Sequence, residues 1–428
     1  MQTKIQKILK RLLQLHPKSI DLSLNRIKRL LKDLNNPQKK IKNPIQIVGT
    51  NGKHSVCSTL REIFETAGYS VNMNISPSLK KFNERYYLSG KHISDDELFE
   101  LLTEVEKINN KKNITFHEFI CACFFLAASR NESDINILEA GLFFRLDASN
   151  VIEKNIASII TPIGLDHKDF LKKGTIDEII YEKCSHLLHG SKIILSEQKG
   201  NILKKIKKCI SKNSSIKFIF GEDYKYKKTR NGFIYTDKIG ELSLPNSNLL
   251  GDFQLSNLST AICAIRSLDQ FKVEQSHIRE AITKIRSEGR LQFIKKGKLR
   301  KFVSNNNEIL IDGAHNVLAA KEIEKYLGSL NSGRKIIMLI GMMSNKEHKQ
   351  FIQIFKNRVE SVIALDIPNQ TNFINKEKLS KIAKSCGLQS KTEGSIVSAL
   401  KNASKENENA IIFCTGSLYF AGEILNLN

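Results

Sequence analysis

The sharpest local pattern in the chain is Ile47-Val48-Gly49-Thr50-Asn51-Gly52-Lys53-His54-Ser55, an apolar run that enters a glycine-containing turn and then a helical stretch. Phosphate oxygens need several backbone N–H donors pointing one way, and glycines let the backbone approach closely enough to supply them. Lys53 adds a point charge suited to terminal phosphates, and the Ser55 hydroxyl can reach a phosphate or a divalent cation. The spacing, G-x-x-G-K, is tighter than the common G-x-x-x-x-G-K. Alone it is also compatible with an accidental loop; the strand–turn–helix setting argues for phosphate.

A second constellation sits at the ends of other apolar runs. Glu139 closes residues 135–139, Asp166-His167 follows residues 157–162 after a short turn, and Ser76 follows residues 70–75. In a parallel sheet these ends fall on the edge that carries the phosphate loop. One carboxylate, one imidazole and one hydroxyl would complete the shell of a Mg²⁺ already held by ATP phosphates. Each has a blander reading when taken singly. A His beside an Asp is commonly a structural hydrogen bonder, and Lys183, in Glu182-Lys183-Cys184, reads as a solvated lysine on a helix starting after Thr175.

These residues need a scaffold that brings strand ends to one edge, and the chain's periodicity predicts one. Residues 45–49, 135–139 and 157–161 read as short strands, and 53–67, 95–109 and 116–130 as helices. Strands over 308–311, 335–340, 359–364 and 410–414, with a helix over 317–327, form a second series. Between the two lie a hairpin over 232–244 and helices over 253–268 and 274–286. The expected class is α/β: a central P-loop-type, mostly parallel sheet flanked by helices, followed by a smaller Rossmann-like α/β domain. The segment 287–298, bracketed by Gly289 and Gly297, carries the boundary, dividing the chain into 1–290 and 291–428.

Composition narrows the function classes. With 428 residues and 41% hydrophobic content the chain can bury sizeable cores, and disorder as its main state is excluded. The longest uncharged apolar run, residues 119–128, is too short to cross a bilayer. The N-terminus interleaves cations with aliphatics, which fits a surface helix better than an export signal. Eight cysteines at irregular spacings, with no CxxC, indicate neither a zinc site nor a disulfide framework and fit a reducing cytoplasm. A net charge of +23 first suggests nucleic acid, yet lysine outnumbers arginine 52 to 15, the lysines are scattered, and tryptophan is absent. The charge suits steering of small anionic substrates.

Further runs complete the pattern: residues 15–26, Ser76-Pro77, Phe82-Asn83-Glu84-Arg85, Leu138-Glu139-Ala140-Gly141, Arg145-Leu146-Asp147-Ala148-Ser149-Asn150, Gly164-Leu165-Asp166-His167, Asp312-Gly313-Ala314-His315-Asn316 and Thr415-Gly416-Ser417-Leu418-Tyr419. In order and separation, over nearly the whole length, the chain resembles the folylpolyglutamate synthase/dihydrofolate synthase branch of the Mur ligase superfamily. The resemblance implies an ATP-dependent ligase that joins L-glutamate to dihydropteroate, and to folates, through an acyl phosphate. It assigns ATP to Gly49, Thr50, Asn51, Gly52, Lys53, Ser55, Asn257, Arg290 and Asp312, and Mg²⁺, at two sites, to Ser76, Glu139, His167 and Lys183. Lys183 matches the family's carbamylated lysine, a modification that requires a neutral amine. Ser417 and His315 match the glutamate position, with Lys53, Lys183, Arg290 and His315 the catalytic set. Ser19, Ile20, Asp21, Leu22, Thr115, Leu146, Asp147 and Ala148 match positions around the pteroate. Two departures stand out: Gly52-Lys53-His54 replaces Gly-Lys-Gly, and Phe143-Phe144 replaces two glycines in a turn the family places near the pterin. The expected protein is a cytoplasmic monomer acting on small molecules, without nucleic-acid or membrane partners. The rival readings are another Mur-type amino-acid ligase, for which the 19–22 and 82–85 segments are the wrong signature, and a catalytically weakened nucleotide binder, which Phe143-Phe144 and His54 suggest.

Overall fold

Runs such as Pro44–Val48 and Ile135–Glu139 are rich in aliphatic residues, the signature of strands covered on both faces, and every residue in both is buried. The computed structural model describes residues 2–18, 20–330 and 333–428. It divides into two compact units. The first comprises Met1–Ile163, Lys173–Asn248 and Leu255–Ile285; the second comprises Gly164–Lys172, Leu249–Gln254 and Arg286–Asn428.

In the first unit the described residues form an eight-stranded sheet: β1 (Pro44–Val48), β2 (Val71–Asn74), β3 (Tyr86–Leu88), β4 (Lys91–His92), β5 (Ile135–Glu139), β6 (Ala157–Ile160), β7 (Lys192–Leu195) and β8 (Ile216–Ile219). Its order is β4-β3-β2-β5-β1-β6-β7-β8, parallel except for β3 and β4 at one edge. β1 lies between β5 and β6, so the connections diverge on its two sides. Sheets of this class bind ligands at the carboxyl end of such a strand. The expected hairpin is present with one more partner. β9 (Tyr224–Thr229), β10 (Gly232–Asp237) and β11 (Gly240–Pro245) form an antiparallel sheet in which β10 is central.

Local chemistry sets the helices. Ser94 with Glu97, Thr115 with Glu118, and Thr175 with Glu178 form capping boxes that start Asp95–Asn109, Phe116–Arg130 and Ile176–Cys184. In Gln2–Leu12, Ile5, Ile8 and Leu12 face inward while the interleaved lysines stay out. They join a core with Ile27, Leu30 and Leu31 and the almost entirely buried Phe116–Arg130 helix.

The second unit holds β12 (Gln292–Phe293), β13 (Glu308–Ile311), β14 (Ile336–Ile340), β15 (Ser361–Ala364), β16 (Gln389–Thr392) and β17 (Ile411–Thr415). Their order is β12-β13-β17-β14-β15-β16, parallel apart from β12. Its core gathers Leu310, Met338, Ile340, Phe351, Phe355 and Phe413. The architecture is the expected α/β one. All eight cysteines are free thiols. Among the described residues no helix is long and apolar enough to cross a membrane.

Candidate active site

In the first unit the phosphate loop joins β1 to the helix Lys53–Thr66. That helix has no side-chain cap and no acidic residue in its first turn. No carboxylate of its own first turn therefore opposes the positive end of its dipole, the arrangement that binds anions. Glycine is required twice. Gly49 has φ +154, and a Cβ there would stand 2.0 Å from Thr161 Oγ1; Gly52 has φ +83, and a Cβ would stand 2.4 Å from Asn257 Oδ1. The second clash shows that Asn257, on the helix Phe253–Arg266, lies directly against the loop. Thr50 and Asn51 both donate their N–H to Pro162 O, at 2.9 and 3.2 Å. This tie to the residue after β6 holds the loop's entry and leaves the helix start to face an anion. Lys53 folds back, its Nζ donating to Gly49 O at 3.2 Å and Thr50 O at 3.3 Å. Ser55 is buried in the helix's first turn.

Glu139 ends β5, the strand beside β1, and is only 4% exposed. It accepts a hydrogen bond from Ser76 N at 3.1 Å, while Ser76 Oγ is 3.4 Å from Arg85 NH1. The structure thus brings Ser76 and Glu139 together. His167 lies in Gly164–Lys172, which groups with the second unit. Among the described residues no three His, Cys, Asp or Glu side chains gather to hold a metal ion by themselves. The Glu139 carboxylate and the Ser76 hydroxyl nevertheless fit Mg²⁺, which takes hard oxygens and is commonly bound by one or two carboxylates plus substrate phosphates.

Lys183 is not the solvated surface lysine its isolated sequence suggests. It is 4% exposed, and its Nζ donates to Gly49 O at 2.8 Å and Leu142 O at 2.7 Å, 5.5 Å from the centre of the Phe143 ring. Phe143 and Phe144 are themselves buried rather than turned outward. Their turn is tied to the Lys183 helix, since Phe144 N and Arg145 N both donate to Glu182 O and Arg145 pairs with the Glu182 carboxylate at 2.8 Å. The two extra rings are absorbed by the interior.

Ser19 lies outside the described residues, and Ile20 and Leu22 are half-buried. Asp21 is joined to Thr115 through two residues that the pattern did not single out as site residues. Arg26 NH1 donates to Asp21 Oδ2 at 2.7 Å and Arg26 Nε to Glu118 Oε2 at 2.9 Å; the same Oε2 accepts from Thr115 N and Oγ1, each at 2.8 Å. The T-x-x-E capping spacing was the available signal for Glu118. Leu146 is half-buried, Ala148 is part of the core, and buried Asp147 accepts from Ser149 N, Ser149 Oγ and Gly141 N.

Asp147 Oδ2 also lies 3.5 Å from His117 Nε2. Burial opposes charge on His117, but Cys121 and, above all in chemical terms, the Asp147 carboxylate hold its pKa well above the usual imidazole value. Burial likewise opposes charge on Asp147, which His117 and Ser149 outweigh, lowering its pKa. His117 therefore adds stability that is complete below about pH 6.5, the unfolded value, and is lost as pH rises through the elevated folded one. With the ring partly exposed we expect about 1 kcal/mol of extra alkaline destabilisation in the wild type relative to His117→Gln. Urea unfolding across the alkaline range checks this; parallel pH profiles for the two proteins would refute it.

In the second unit Asp312 follows β13, its Oδ2 accepting from Leu291 N at 2.8 Å and Oδ1 from Ala314 N at 2.7 Å. Burial pushes its carboxyl up, against Arg290 and these N–H groups. Arg290 approaches Gly313 so closely that a Cβ there would stand 2.9 Å from its NH1. Ser417, after β17, is buried and caps Leu418–Asn426, accepting from Tyr419 N at 3.1 Å. His315 Nδ1 is 3.0 Å from Gly313 O and its Nε2 3.5 Å from Asp166 Oδ2. Arg290, Asp312, His315 and Ser417 thus share the carboxyl edge of β13 and β17, neighbours in the sheet.

Residues 47–265 match the Mur ligase middle domain and residues 295–427 the dihydrofolate synthetase C-terminal domain. A dihydrofolate synthase/folylpolyglutamate synthase of Buchnera aphidicola is 30% identical over 318 residues, 73% of this chain and 72% of the relative. The structure of E. coli FolC in complex with DHPP and ADP superposes with a TM-score of 0.88 at 24% identity, covering 99% of this chain and 97% of that one. A bifunctional folylpolyglutamate synthase/dihydrofolate synthase from Yersinia pestis, complexed with AMPPNP and Mn ion, gives 0.86 at 23% identity, with 99% and 97% coverage.

Proposed function

The chain belongs to the dihydrofolate synthase/folylpolyglutamate synthase family, and from that premise we propose that it ligates L-glutamate to dihydropteroate, and to folates, with hydrolysis of ATP to ADP and phosphate. The observation that carries the reading is the uncapped helix start with Lys53 and two obligatory glycines, one strand away from the buried carboxylate of Glu139.

A carboxylate and an amine do not condense in water without activation. In the proposed sequence a carboxylate oxygen of dihydropteroate attacks the γ-phosphorus and ADP leaves. The glutamate amine then attacks the acyl carbon, loses a proton, and phosphate departs from the tetrahedral intermediate. The helix N–H groups and Lys53 neutralise charge on the phosphates, as phosphoryl transfer demands. Arg290, Asp312 and Asn257 are assigned to the nucleotide, and Ser417 and His315 to glutamate. Residues 20–22, Thr115 and Leu146, Asp147 and Ala148 are assigned to the pteroate. A divalent cation on Ser76, Glu139 and His167 would supply further charge neutralisation at the phosphate oxygens. A second cation would require Lys183 to become a carbamate, because an ammonium repels a metal. The relatives' nucleotide and Mn ion complexes support the nucleotide and the metal.

Purified protein with ATP, Mg²⁺ and glutamate is the test, with dihydropteroate and tetrahydrofolate compared as acceptors. We expect glutamate-dependent ADP formation with dihydropteroate, and a glutamylated product by mass. ATP binding without acceptor-dependent ADP release would instead favour the weakened nucleotide binder.

A further inference from the structure

Asp166 follows β6 in sequence, yet its side-chain partners all come from the second unit or its own turn. Its Oδ1 accepts from Lys346 Nζ at 2.7 Å and from His167 N at 2.9 Å; its Oδ2 accepts from Asn316 Nδ2 at 3.1 Å and faces His315 Nε2 at 3.5 Å. The pair is secluded, with side chains 7% exposed for Asp166 and 10% for Lys346. Asn316 in turn caps the helix Val317–Ser329, its Oδ1 accepting from Ala319 N at 2.9 Å. With Nδ1 against Gly313 O, the His315 ring is fixed at both nitrogens. Lys346, from the loop after β14, needs Asp166 as its counter-charge, because an unpaired ammonium at this depth is strongly disfavoured.

We propose that Asp166 is a positioning residue for the glutamate-binding edge of the second unit, acting through His315 and Lys346. The inference rests on the reading that His315 and Ser417 receive glutamate, and it deepens that reading by adding Asp166 and Lys346 to the site. Neither needs to touch glutamate. Asp166 fixes the ring, and Lys346, donating to its Oδ1, holds the carboxylate in place.

The test uses the full chain with Asp166→Asn, Lys346→Met and the double variant. Asparagine keeps an oxygen for His167 N but removes the charge and turns the oxygen facing Asn316 and His315 into an NH₂ donor; Lys346→Met leaves the His167 turn untouched altogether. Each single variant is expected to lower kcat/KM for glutamate about 100-fold, the scale of a reacting group misplaced from a distance. The loss should fall mainly in the KM for glutamate, with the KM for ATP changed by less than about twofold. Because the residues act as one unit, the double variant should be no worse than the worse single. Thermal unfolding of Lys346→Met separates positioning from folding, since general destabilisation would depress the ATP and glutamate parameters alike. A normal KM for glutamate in Lys346→Met, parallel losses for both substrates, or additive losses in the double variant would overturn the inference while leaving the ligase reading intact. A wild type that forms ADP but no glutamylated product would overturn both.

Discussion

Lys53→Ala is expected to lower dihydropteroate-dependent ADP formation about 1,000-fold, the scale of removing a preorganised charge from a group-transfer site. In the structure Lys53 Nζ hangs over its own loop, 3.2 Å from Gly49 O and 3.3 Å from Thr50 O, so its ammonium is held where the loop's anion would sit. Both contacts are to neutral carbonyls, which a phosphate oxygen can outbid with full charge. Removing the side chain leaves the loop's shape to Gly49, Gly52 and the Thr50 and Asn51 bonds to Pro162, none of which involves Lys53. The variant should therefore fold with an unchanged melting temperature and still bind nucleotide weakly through the helix N–H groups. Quenched-flow measurement of ADP with saturating dihydropteroate checks the chemistry, and calorimetry checks the fold. Near-normal ADP formation would remove the phosphate loop from the mechanism.

The fold was legible wherever one physical signal dominated. Parallel strands buried on both faces, such as β1, β5 and β17, are short runs dominated by aliphatic residues, with buried Gln46, Asn136 and Glu139 as the polar members of β1 and β5. The capping boxes announce three helix starts. β9 escaped because its alternation, Tyr224-Lys225-Tyr226, dissolves into Lys227-Lys228, and most of those residues are exposed. The site was legible in part. Glycine spacing points to the loop because the backbone there tolerates nothing else, and the ends of neighbouring strands bring Ser76 to Glu139. Burial of a charge is not written in a sequence, so Lys183 read as a surface residue until its helix was seen to face Gly49. The Asp166–Lys346 pair spans 180 positions and obeys no local spacing, so only the folded chain shows them in contact.

Lys183→Ala is expected to reduce ligation about 1,000-fold as well, and the way it can be restored distinguishes two chemistries. As found, the amine donates to Gly49 O and Leu142 O, partners suited to a cation. A carbamate would turn oxygens toward those carbonyls and be repelled. If CO₂ adds to the neutral amine, with loss of a proton, the side chain must swing off both carbonyls to present its new carboxylate to a metal. Under that reading acetate or propionate should restore part of the activity of Lys183→Ala. Wild-type activity should fall in CO₂-free buffer and return with bicarbonate. Under the opposite reading, in which the ammonium tethers the phosphate loop to the turn at Leu142, propylamine should rescue and carboxylates should not. Loss of the amine would then take the Lys183 donor from Leu142 O and leave Gly49 O to Lys53 alone, costing about 1–3 kcal/mol and lowering the melting temperature. We expect carboxylate rescue. Restoration by propylamine alone, together with an activity indifferent to bicarbonate, would assign Lys183 to the loop's architecture and leave the metal to Glu139 and the phosphate oxygens.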